Sequence, residues 1–131
     1  MSKNHKYKGW FITFEGPEGS GKSTQSQRLC DYLNKNGRDA IMTFEPGGTP
    51  IANQIRSVIL SRDNVKMTPC CEMFLYAASR AQHVCEVIIP HIEKGGIVIC
   101  DRFTDSSLAY QAFAREIGYE TVGAVQKIAT M

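Results

Sequence analysis

An eight-residue segment from Gly16 to Ser23 constrains the possible fold more than any other part of the chain. It reads Gly-Pro-Glu-Gly-Ser-Gly-Lys-Ser and matches the phosphate-loop pattern G-x-x-x-x-G-K-[ST]. Its glycines let the backbone curl so that successive N–H groups point at one cluster of phosphate oxygens, and the positive end of the following helix points there too. The segment therefore predicts a phosphate-binding loop between a strand and a helix.

The sequence on either side of the loop fits this prediction. Trp10 to Phe14 is an apolar run typical of a buried strand, and Gln25 to Asn36 is typical of a helix. The apolar residues of that helix recur at helical spacing, at Leu29, Tyr32 and Leu33. These flanks disfavour the alternative interpretation, an ordinary glycine-rich turn.

The loop itself contains the candidate phosphate ligands. We expect Lys22 to reach the outer phosphates and the Ser23 hydroxyl to ligate a magnesium ion. The other residues expected to contact the phosphates are Gly16, Gly19, Ser20, Gly21 and Thr24.

The composition excludes several other classes of protein. A chain of 131 residues forms one domain at most, and 43% hydrophobic with 21% charged residues describes a soluble globular protein. The net charge of +2 gives no reason to expect a nucleic-acid partner. The apolar run before Glu15 is too short for a signal peptide or a membrane span. We interpret residues 1–8 as a flexible tail and residues 9–131 as part of one domain.

The cysteines and histidines suggest no metal site. The five cysteines are odd in number and lack C-x-x-C spacing, so we expect reduced, mostly buried thiols in a cytoplasmic protein. They are Cys30, Cys70, Cys71, Cys85 and Cys100. His5, His83 and His91 are scattered, and no His/Cys pair has the spacing of zinc ligands.

Beyond the loop, apolar strands alternate with helices. Gly37 is a natural cap for the first helix, and Ala40 to Phe44 predicts a second strand. Ile97 to Cys100 predicts a third strand that ends at Asp101. Two more helices are expected, around Ser106 to Ile117 and around Glu120 to Met131.

Two helices are expected between the second and third strands. Thr49-Pro50 and Thr68-Pro69 each have the form of an N-cap followed by proline in the first turn. The apolar stripe of the first helix comprises Ile51, Ile55, Val58 and Ile59. That of the second comprises Met73, Phe74, Ala77, Ala81, Val84 and Ile88. We expect Pro90 to kink or end this second helix and Gly95-Gly96 to break the chain.

The alternation of strands and helices predicts an α/β fold with parallel strands joined by right-handed crossovers. Ligands of such sheets bind beyond the carboxyl ends of the strands. Polar residues follow all three strands, at Glu15 to Ser23, Glu45 to Gly48 and Asp101-Arg102. We therefore expect these three segments to form one site.

Several side chains near these strand ends suit a phosphate-transfer site. Asp101 is the candidate magnesium carboxylate, with a helix-capping or salt-bridging aspartate as the alternative. Arg102 can form a two-pronged contact with a phosphate, and Arg56 and Arg80 are candidate phosphate or base contacts. Tyr76 lies one helical turn before Arg80, where its ring would either stack on a base or belong to the core.

Four blocks of sequence together resemble bacterial thymidylate kinases. They run from Phe14 to Gln25, Glu45 to Pro50, Tyr76 to Arg80 and Asp101 to Gln111, in the family's order and across nearly the whole chain. The resemblance implies the P-loop nucleoside monophosphate kinase fold, a parallel sheet with helices on both faces, with about three of its five strands present. It also implies magnesium-dependent in-line transfer of a phosphoryl group from ATP to dTMP, giving dTDP for nucleotide biosynthesis, and a homodimer.

By matching position, the resemblance also implies how the nucleoside would be bound. Tyr76 would stack on thymine, and Arg80 would contact its carbonyl edge. Ser107 and Gln111 would complete base recognition, and Tyr110 would lie against the sugar and disfavour a 2′-hydroxyl. Many relatives have Phe in place of Tyr76.

The resemblance implies a second group of residues for the monophosphate and for catalysis. Arg56 and Arg102 would grip the monophosphate, and Glu18 would sit near the sugar and the acceptor phosphate. Lys22, Arg102 and Glu18 would then be the catalytic residues. Ser79 stands where many relatives have Asp.

The family's chains are longer, and their arginine-rich lid and C-terminal strands have no counterpart here. The sequence stops within an amphipathic helix that lacks a C-cap, so we expect a truncated chain. Residues 17–20 contain no Lys or Arg, which implies that the family's lid supplies the catalytic cation. Without a fourth strand, Trp10 to Phe14 would be an apolar edge strand, so we expect the isolated chain to be poorly stable.

Two alternatives to a thymidylate kinase remain open from the sequence. One is a non-catalytic nucleotide-binding fragment that holds dTMP or phosphate without turnover. The other is a kinase for a different nucleoside monophosphate.

Overall fold

The parallel sheet predicted from the sequence is present in a computed structural model, which describes residues 6–104, 112 and 116–130. Its strands are β1 (Trp10–Phe14), β2 (Ala40–Phe44) and β3 (Ile97–Asp101). The strand order is β1-β3-β2, and Trp10 and Ala40 both pair with Ile97. The three predicted strands are confirmed, and the third includes Asp101.

The helices follow the predicted order. They are α1 (Lys22–Lys35), α2 (Pro50–Leu60), α3 (Pro69–His83), a π-helical turn (Val84–Ile88), α4 (Ile89–Glu93) and α5 (Tyr119–Ala129). The first helix begins at Lys22 rather than Gln25, because helical geometry starts directly after the left-handed Gly21. The helix expected around Ser106 to Ile117 falls largely outside the described residues.

The predicted helix caps are confirmed. The Thr49 hydroxyl accepts a hydrogen bond from the Ala52 N–H at 3.1 Å, and the Thr68 hydroxyl accepts one from the Cys71 N–H at 3.2 Å. Gly37 has a φ of +76°, the left-handed geometry that commonly follows a helix end. These local signals set the directions in which α2 and α3 leave their loops.

Pro90 was expected to kink or end the helix, and it does not end it, because the helical path continues past it. It passes from α3 through the π-helical turn into α4, which ends at Glu93. Pro90 lies in the first turn of α4, where its missing N–H matters least. A widened turn before a proline is a recognised way to carry a helix past it. Gly95 follows with a φ of +91° and breaks the chain as expected.

Helices cover both faces of the sheet, as the predicted fold class requires. The core cluster on the α1 face consists of Cys30, Ala40, Ile97 and Ile99. The cluster on the opposite face consists of Val84, Ile88, Ile92 and Val98. Because β3 is the middle strand, its alternate residues enter opposite clusters, which is why its sequence is continuously apolar.

Some residues of the predicted apolar helix stripes lie on the surface. On α2, Ile51 and Val58 are exposed, and Ala52 is the buried residue. Tyr32 and Phe74 are also exposed. On α2 the reason is that this helix packs on α3 through the small Ala52, which leaves the larger apolar side chains outside the contact.

The expectation of mostly buried cysteines is wrong. All five thiols are free, but only Cys30 and Cys100 are buried. The exposed ones are Cys70, Cys71 and Cys85, in the first turn of α3 and in the π-helical turn.

Strand β1 lies at an edge of the sheet that the described residues form. Its first residue, Trp10, is 56% exposed, as expected for a strand edge that no other described strand covers.

Residues 1–5 of the predicted tail lie outside the described residues. Tyr7, within the predicted tail, packs against the Val84 cluster. In the part of the chain that the structure describes, no helix has the length and apolar character needed to cross a bilayer.

Candidate functional site

The three polar segments that follow the strands meet at one cleft of about 800 Å³. The walls come from the phosphate loop, from the segment after β2, from α2 and α3, and from the segment after β3. Among the lining side chains are Lys22, Arg56, Tyr76, Arg80, Asp101 and Arg102. The predicted convergence at the carboxyl edge of the sheet is therefore confirmed.

The phosphate loop has the backbone geometry that its glycines allow. Gly19 and Gly21 have φ values of +78° and +85°, in the left-handed region that other residues adopt only with strain. The loop leads directly into α1, so the amino end of that helix opens onto the cleft. Such an end carries partial positive charge and unpaired N–H groups, which favour an anion.

Lys22 lies at the centre of a cluster of charges. Its side chain is only 8% exposed, and Nζ lies 3.6 Å from Glu18 Oε1 and 3.8 Å from Asp101 Oδ1. Glu18 belongs to the loop, and Asp101 ends β3. The ammonium group therefore lies between the phosphate loop and the carboxyl end of β3.

Ser23 and Asp101 are in direct contact. The Ser23 hydroxyl donates a hydrogen bond of 2.9 Å to Asp101 Oδ2. The second carboxylate oxygen, Oδ1, is buried and accepts no hydrogen bond from any described residue. A hydroxyl and a carboxylate with an available buried oxygen are suitable ligands for a magnesium ion.

Arg102 crosses the mouth of the cleft to the phosphate loop. Its Nη2 donates to Glu18 Oε1 at 2.5 Å, and its backbone N–H donates to the Phe14 carbonyl at 3.0 Å. Its φ of +71° is unusual for a residue with a side chain. Such backbone strain is typical of residues held in place for a functional reason.

Arg56 reaches the cleft from α2. Its Nη1 donates a hydrogen bond of 2.7 Å to the Pro46 carbonyl, and its guanidinium carbon lies 5.3 Å from the centre of the Phe44 ring. The end of β2 and the segment after it therefore both contact this arginine.

Tyr76 and Arg80 line the cleft together, as their one-turn spacing predicts. Tyr76 is half-buried, while Arg80 is only 2% exposed. The Arg80 guanidinium lies over the Phe103 ring at 4.8 Å. Phe103 in turn packs edge-to-face on Phe11, with ring centres 4.8 Å apart.

Glu45 is the main residue that the sequence analysis left without a role. It is 5% exposed, and its Oε2 accepts a hydrogen bond of 2.6 Å from Arg80 Nε. Its Oε1 lies 2.8 Å from His83 Nδ1, and His83 Nε2 lies 2.7 Å from the Thr43 hydroxyl. Gln126 of α5 completes this buried network through a contact of its Oε1 with Arg80 Nη1.

Because the three histidines are scattered along the sequence, His83 was given no role in a site. In the fold its side chain is completely buried. The helical spacing could have placed it on the same face as Ser79 and Arg80, since it lies one turn after the first and nearly one turn after the second. Ser79 is also completely buried, and its hydroxyl accepts a hydrogen bond of 3.0 Å from the Gly47 N–H. One face of α3 thus contacts the segment after β2.

A second carboxylate that had no individual role in the sequence-based predictions, Glu15, directly follows β1. Glu15 Oε1 accepts a hydrogen bond of 2.7 Å from the Phe103 N–H. This bond ties the segment after β3 to the start of the phosphate loop.

Three of the predicted nucleoside-binding residues cannot be placed. Ser107, Tyr110 and Gln111 lie outside the described residues. Within the described ranges, no group of three or more His, Cys, Asp or Glu side chains could hold a metal ion.

Both buried thiols have a raised pKa, that of Cys100 beside the site and that of Cys30 on α1. Burial raises the pKa of Cys100, and the nearby Glu45 carboxylate raises it further. Its thiol donates a hydrogen bond of 3.1 Å to the Arg102 carbonyl. Burial likewise raises the pKa of Cys30.

Comparison with known proteins agrees with this geometry. The family model for thymidylate kinase matches residues 14–131. Curated thymidylate kinases from an Exiguobacterium species and from Clostridium novyi are 53% and 55% identical over 122 residues. Each alignment covers 93% of this chain, and 58% and 60% of the two relatives respectively. The chain therefore spans less than two thirds of the length of these curated relatives.

A solved structure gives the same result. The crystal structure of thymidylate kinase from Ehrlichia chaffeensis matches with a TM-score of 0.84 at 35% sequence identity. The match covers 92% of this chain and 68% of that one.

Proposed function

The chain belongs to the thymidylate kinase family, and we propose that the protein it forms, or forms part of, transfers the terminal phosphoryl group of ATP to dTMP. The observation that carries this proposal is the cleft itself. It brings the phosphate-loop Lys22 together with three arginines, Arg56, Arg80 and Arg102, at one edge of the sheet. Two anionic substrates need such a concentration of cations between them.

The donor ATP would bind at the phosphate loop. Backbone N–H groups of Gly16, Gly19, Ser20 and Gly21 and the first turn of α1, with Ser23 and Thr24, would hold its phosphates. Lys22 would contact the outer phosphates from its buried position. Because these donors are fixed before the substrate arrives, little reorganisation would be needed during transfer.

Ser23 and Asp101 would hold the magnesium ion. The buried Asp101 Oδ1, which accepts no hydrogen bond from any described residue, and the adjacent Ser23 hydroxyl fit that role. When bound, the ion would neutralise charge on the phosphates. Magnesium keeps several water and phosphate ligands, so two protein ligands are sufficient.

The acceptor dTMP would occupy the part of the cleft between α2 and α3. Tyr76 would stack on the thymine ring, and Arg80 would donate to its carbonyl edge. Arg56 and Arg102 would bind the monophosphate. The roles of Ser107, Tyr110 and Gln111 in binding base and sugar stay predictions from the resemblance.

Transfer would be direct, without a covalent enzyme intermediate. The acceptor is a phosphate oxygen that already carries the needed electron pair, so the site has to align two polyanions and offset their repulsion. Glu18 contacts both Lys22 and Arg102. We propose that it keeps these two cations in place until the phosphates of the substrates replace its carboxylate.

Phosphoryl-transfer assays would test this proposal against its alternatives. They would be run with dTMP, dUMP, UMP and AMP, on this chain and on a polypeptide of the family's full length. Preference for dTMP supports the proposal, whereas preference for AMP would contradict the assigned base contacts. Binding of dTMP by both polypeptides without turnover in either would favour a non-catalytic nucleotide-binding protein.

We also propose that the protein forms a homodimer in the cytoplasm. Exposed apolar side chains on α2 and α3, including Ile51, Val58 and Phe74, offer a surface that a second copy could cover. The five free thiols fit a reducing compartment. Sedimentation of the wild-type protein and of Phe74→Glu would test the dimer, since the charge should shift the protein toward monomer.

A further inference from the structure

The segment after β2 is held by α3 at several points. Ser79 accepts the hydrogen bond from Gly47, and Glu45 bonds to both Arg80 and His83. A Cβ added to Gly48 would lie 2.7 Å from the His83 ring, so the backbone packs directly on that ring. All of these α3 side chains are buried. The segment therefore has one well-defined position relative to the helix.

The same segment contacts two arginines of the cleft. Glu45 accepts from Arg80 Nε, and the carbonyl of the next residue, Pro46, accepts from Arg56 Nη1. Arg80 and Arg56 come from different helices, α3 and α2. Two adjacent residues thus set the positions of the proposed base contact and the proposed phosphate contact.

His83 determines how Glu45 is oriented. Both of its ring nitrogens are used, with Nδ1 on Glu45 and Nε2 on the Thr43 hydroxyl. Thr43 lies in β2, so the ring links the carboxylate to the sheet. Because His83 holds one oxygen of the Glu45 carboxylate, the other oxygen is directed toward Arg80.

We infer that Glu45 and His83 are positioning residues that orient Arg80 for reading the base and, through the Pro46 carbonyl, keep Arg56 at the monophosphate. This inference rests on the proposed function. Arginine can only donate hydrogen bonds, and thymine presents a carbonyl where cytosine presents an amino group. The orientation of Arg80 therefore controls discrimination between dTMP and dCMP.

The test is calorimetric binding of dTMP, dCMP and ATP to the wild-type protein and to variants. Glu45→Gln should lower the ratio of dTMP to dCMP affinity about tenfold, because Arg80 loses its charged partner. ATP affinity should change less than about twofold, since a lost contact mainly affects the ligand that uses it. His83→Leu should also lower the ratio, whereas His83→Asn should restore much of it by keeping a nitrogen near the place of Nδ1.

Ile97→Val is the matched control for a general loss of stability. Ile97 is buried in the cluster on the α1 face and begins β3, at the end of the strand away from the cleft, so the variant should melt at a lower temperature with an unchanged ratio. An unchanged ratio in both Glu45→Gln and His83→Leu would overturn the inference, as would an equal loss of ATP affinity. A wild-type protein that does not prefer dTMP would overturn the proposed function itself. If Glu45→Gln does not fold, comparison of His83→Leu with His83→Asn provides the test.

Discussion

Two glutamate–arginine pairs of nearly equal length line the cleft. Glu18 and Arg102 are 2.5 Å apart, and Glu45 and Arg80 are 2.6 Å apart. The glutamate of the first pair is 87% exposed, whereas both side chains of the second are at most 3% exposed. Equal distances therefore describe two different interactions, because water screens the first pair and is excluded from the second.

The difference matches the two tasks proposed for the cleft. On the phosphate side, Arg102 has to exchange a carboxylate for a substrate phosphate, and an exposed partner is easily replaced. On the base side, Arg80 has to stay in one orientation in order to discriminate between bases. A buried pair costs much to break, so it suits a fixed position.

The largest expected effect is on the phosphate side, where Lys22→Ala should lower the rate of phosphoryl transfer about a thousandfold or more. The side chain is proposed to stabilise charge that develops during transfer, so dTMP affinity should change little. Steady-state assays and dTMP calorimetry on a polypeptide of the family's full length would measure both. Lys35→Ala, an exposed lysine at the other end of α1, is the control and should behave as wild type. Activity that survives in Lys22→Ala would contradict the phosphate-loop assignment.

The two glutamates themselves give the most direct comparison. Glu45→Gln should lower the free energy of unfolding by about 3 kcal/mol, because Arg80 keeps a buried charge without its counterion. Glu18→Gln should change it by less than about 0.5 kcal/mol, as is usual for an exposed ion pair. Urea unfolding of the two variants measures the contrast, and equal losses would show that burial does not distinguish the pairs.

Two glycine substitutions test whether the segment after β2 packs tightly on α3. Gly48→Ala should cost about 3 kcal/mol, from left-handed strain plus overpacking against His83. Gly37→Ala has the same left-handed strain, with a φ of +76° and no neighbour within 4 Å of an added Cβ, so it should cost about 1 kcal/mol. Their difference in unfolding free energy isolates the clash, and it should vanish if the loop can move away from α3.

The smallest effect concerns the thiols. At pH 8 a thiol reagent should modify Cys70, Cys71 and Cys85 quickly, and Cys30 and Cys100 only when the protein unfolds. Mass spectrometry of labelled protein would read out the sites.

The raised pKa values of these buried thiols also predict a pH dependence. The folded state keeps the protons of Cys30 and Cys100 where the unfolded state releases them, so their contribution to stability is complete below the usual thiol pKa of 9.0 and is lost as pH rises above it. Denaturant titrations between neutral and alkaline pH would measure the loss. A Cys100→Ala variant should lose less stability over that range than the wild-type protein does.

Much of the phosphate side could be predicted because its chemistry is contiguous in the sequence. The loop from Gly16 to Ser23 combines turn-forming glycines, a cation and a hydroxyl at fixed spacing. Strand β1 before it and helix α1 after it have clear periodicities. Asp101 could be predicted as well, since it comes at the end of an apolar run that is recognisable as a strand.

The base side could be predicted only in part. Tyr76 and Arg80 were recognisable as neighbours on one helical face, and they do line the cleft together. Glu45 and His83 are 38 positions apart, and their contact depends on how α3 crosses the end of β2. Local periodicity contains no information about that crossing. The same reason explains why Phe74 and Ile51, which belong to the predicted apolar stripes, are exposed in the fold.

The sequence by itself determined the parallel α/β fold, the strand positions, the helix caps and the phosphate loop, because each depends on residues within about one turn or one strand of each other. Tertiary structure alone decided which ion pairs are buried, which thiols are exposed, and that one segment after β2 holds two arginines. Burial and desolvation depend on the packing of distant segments, and they give two pairs of the same residue types and the same length different strengths.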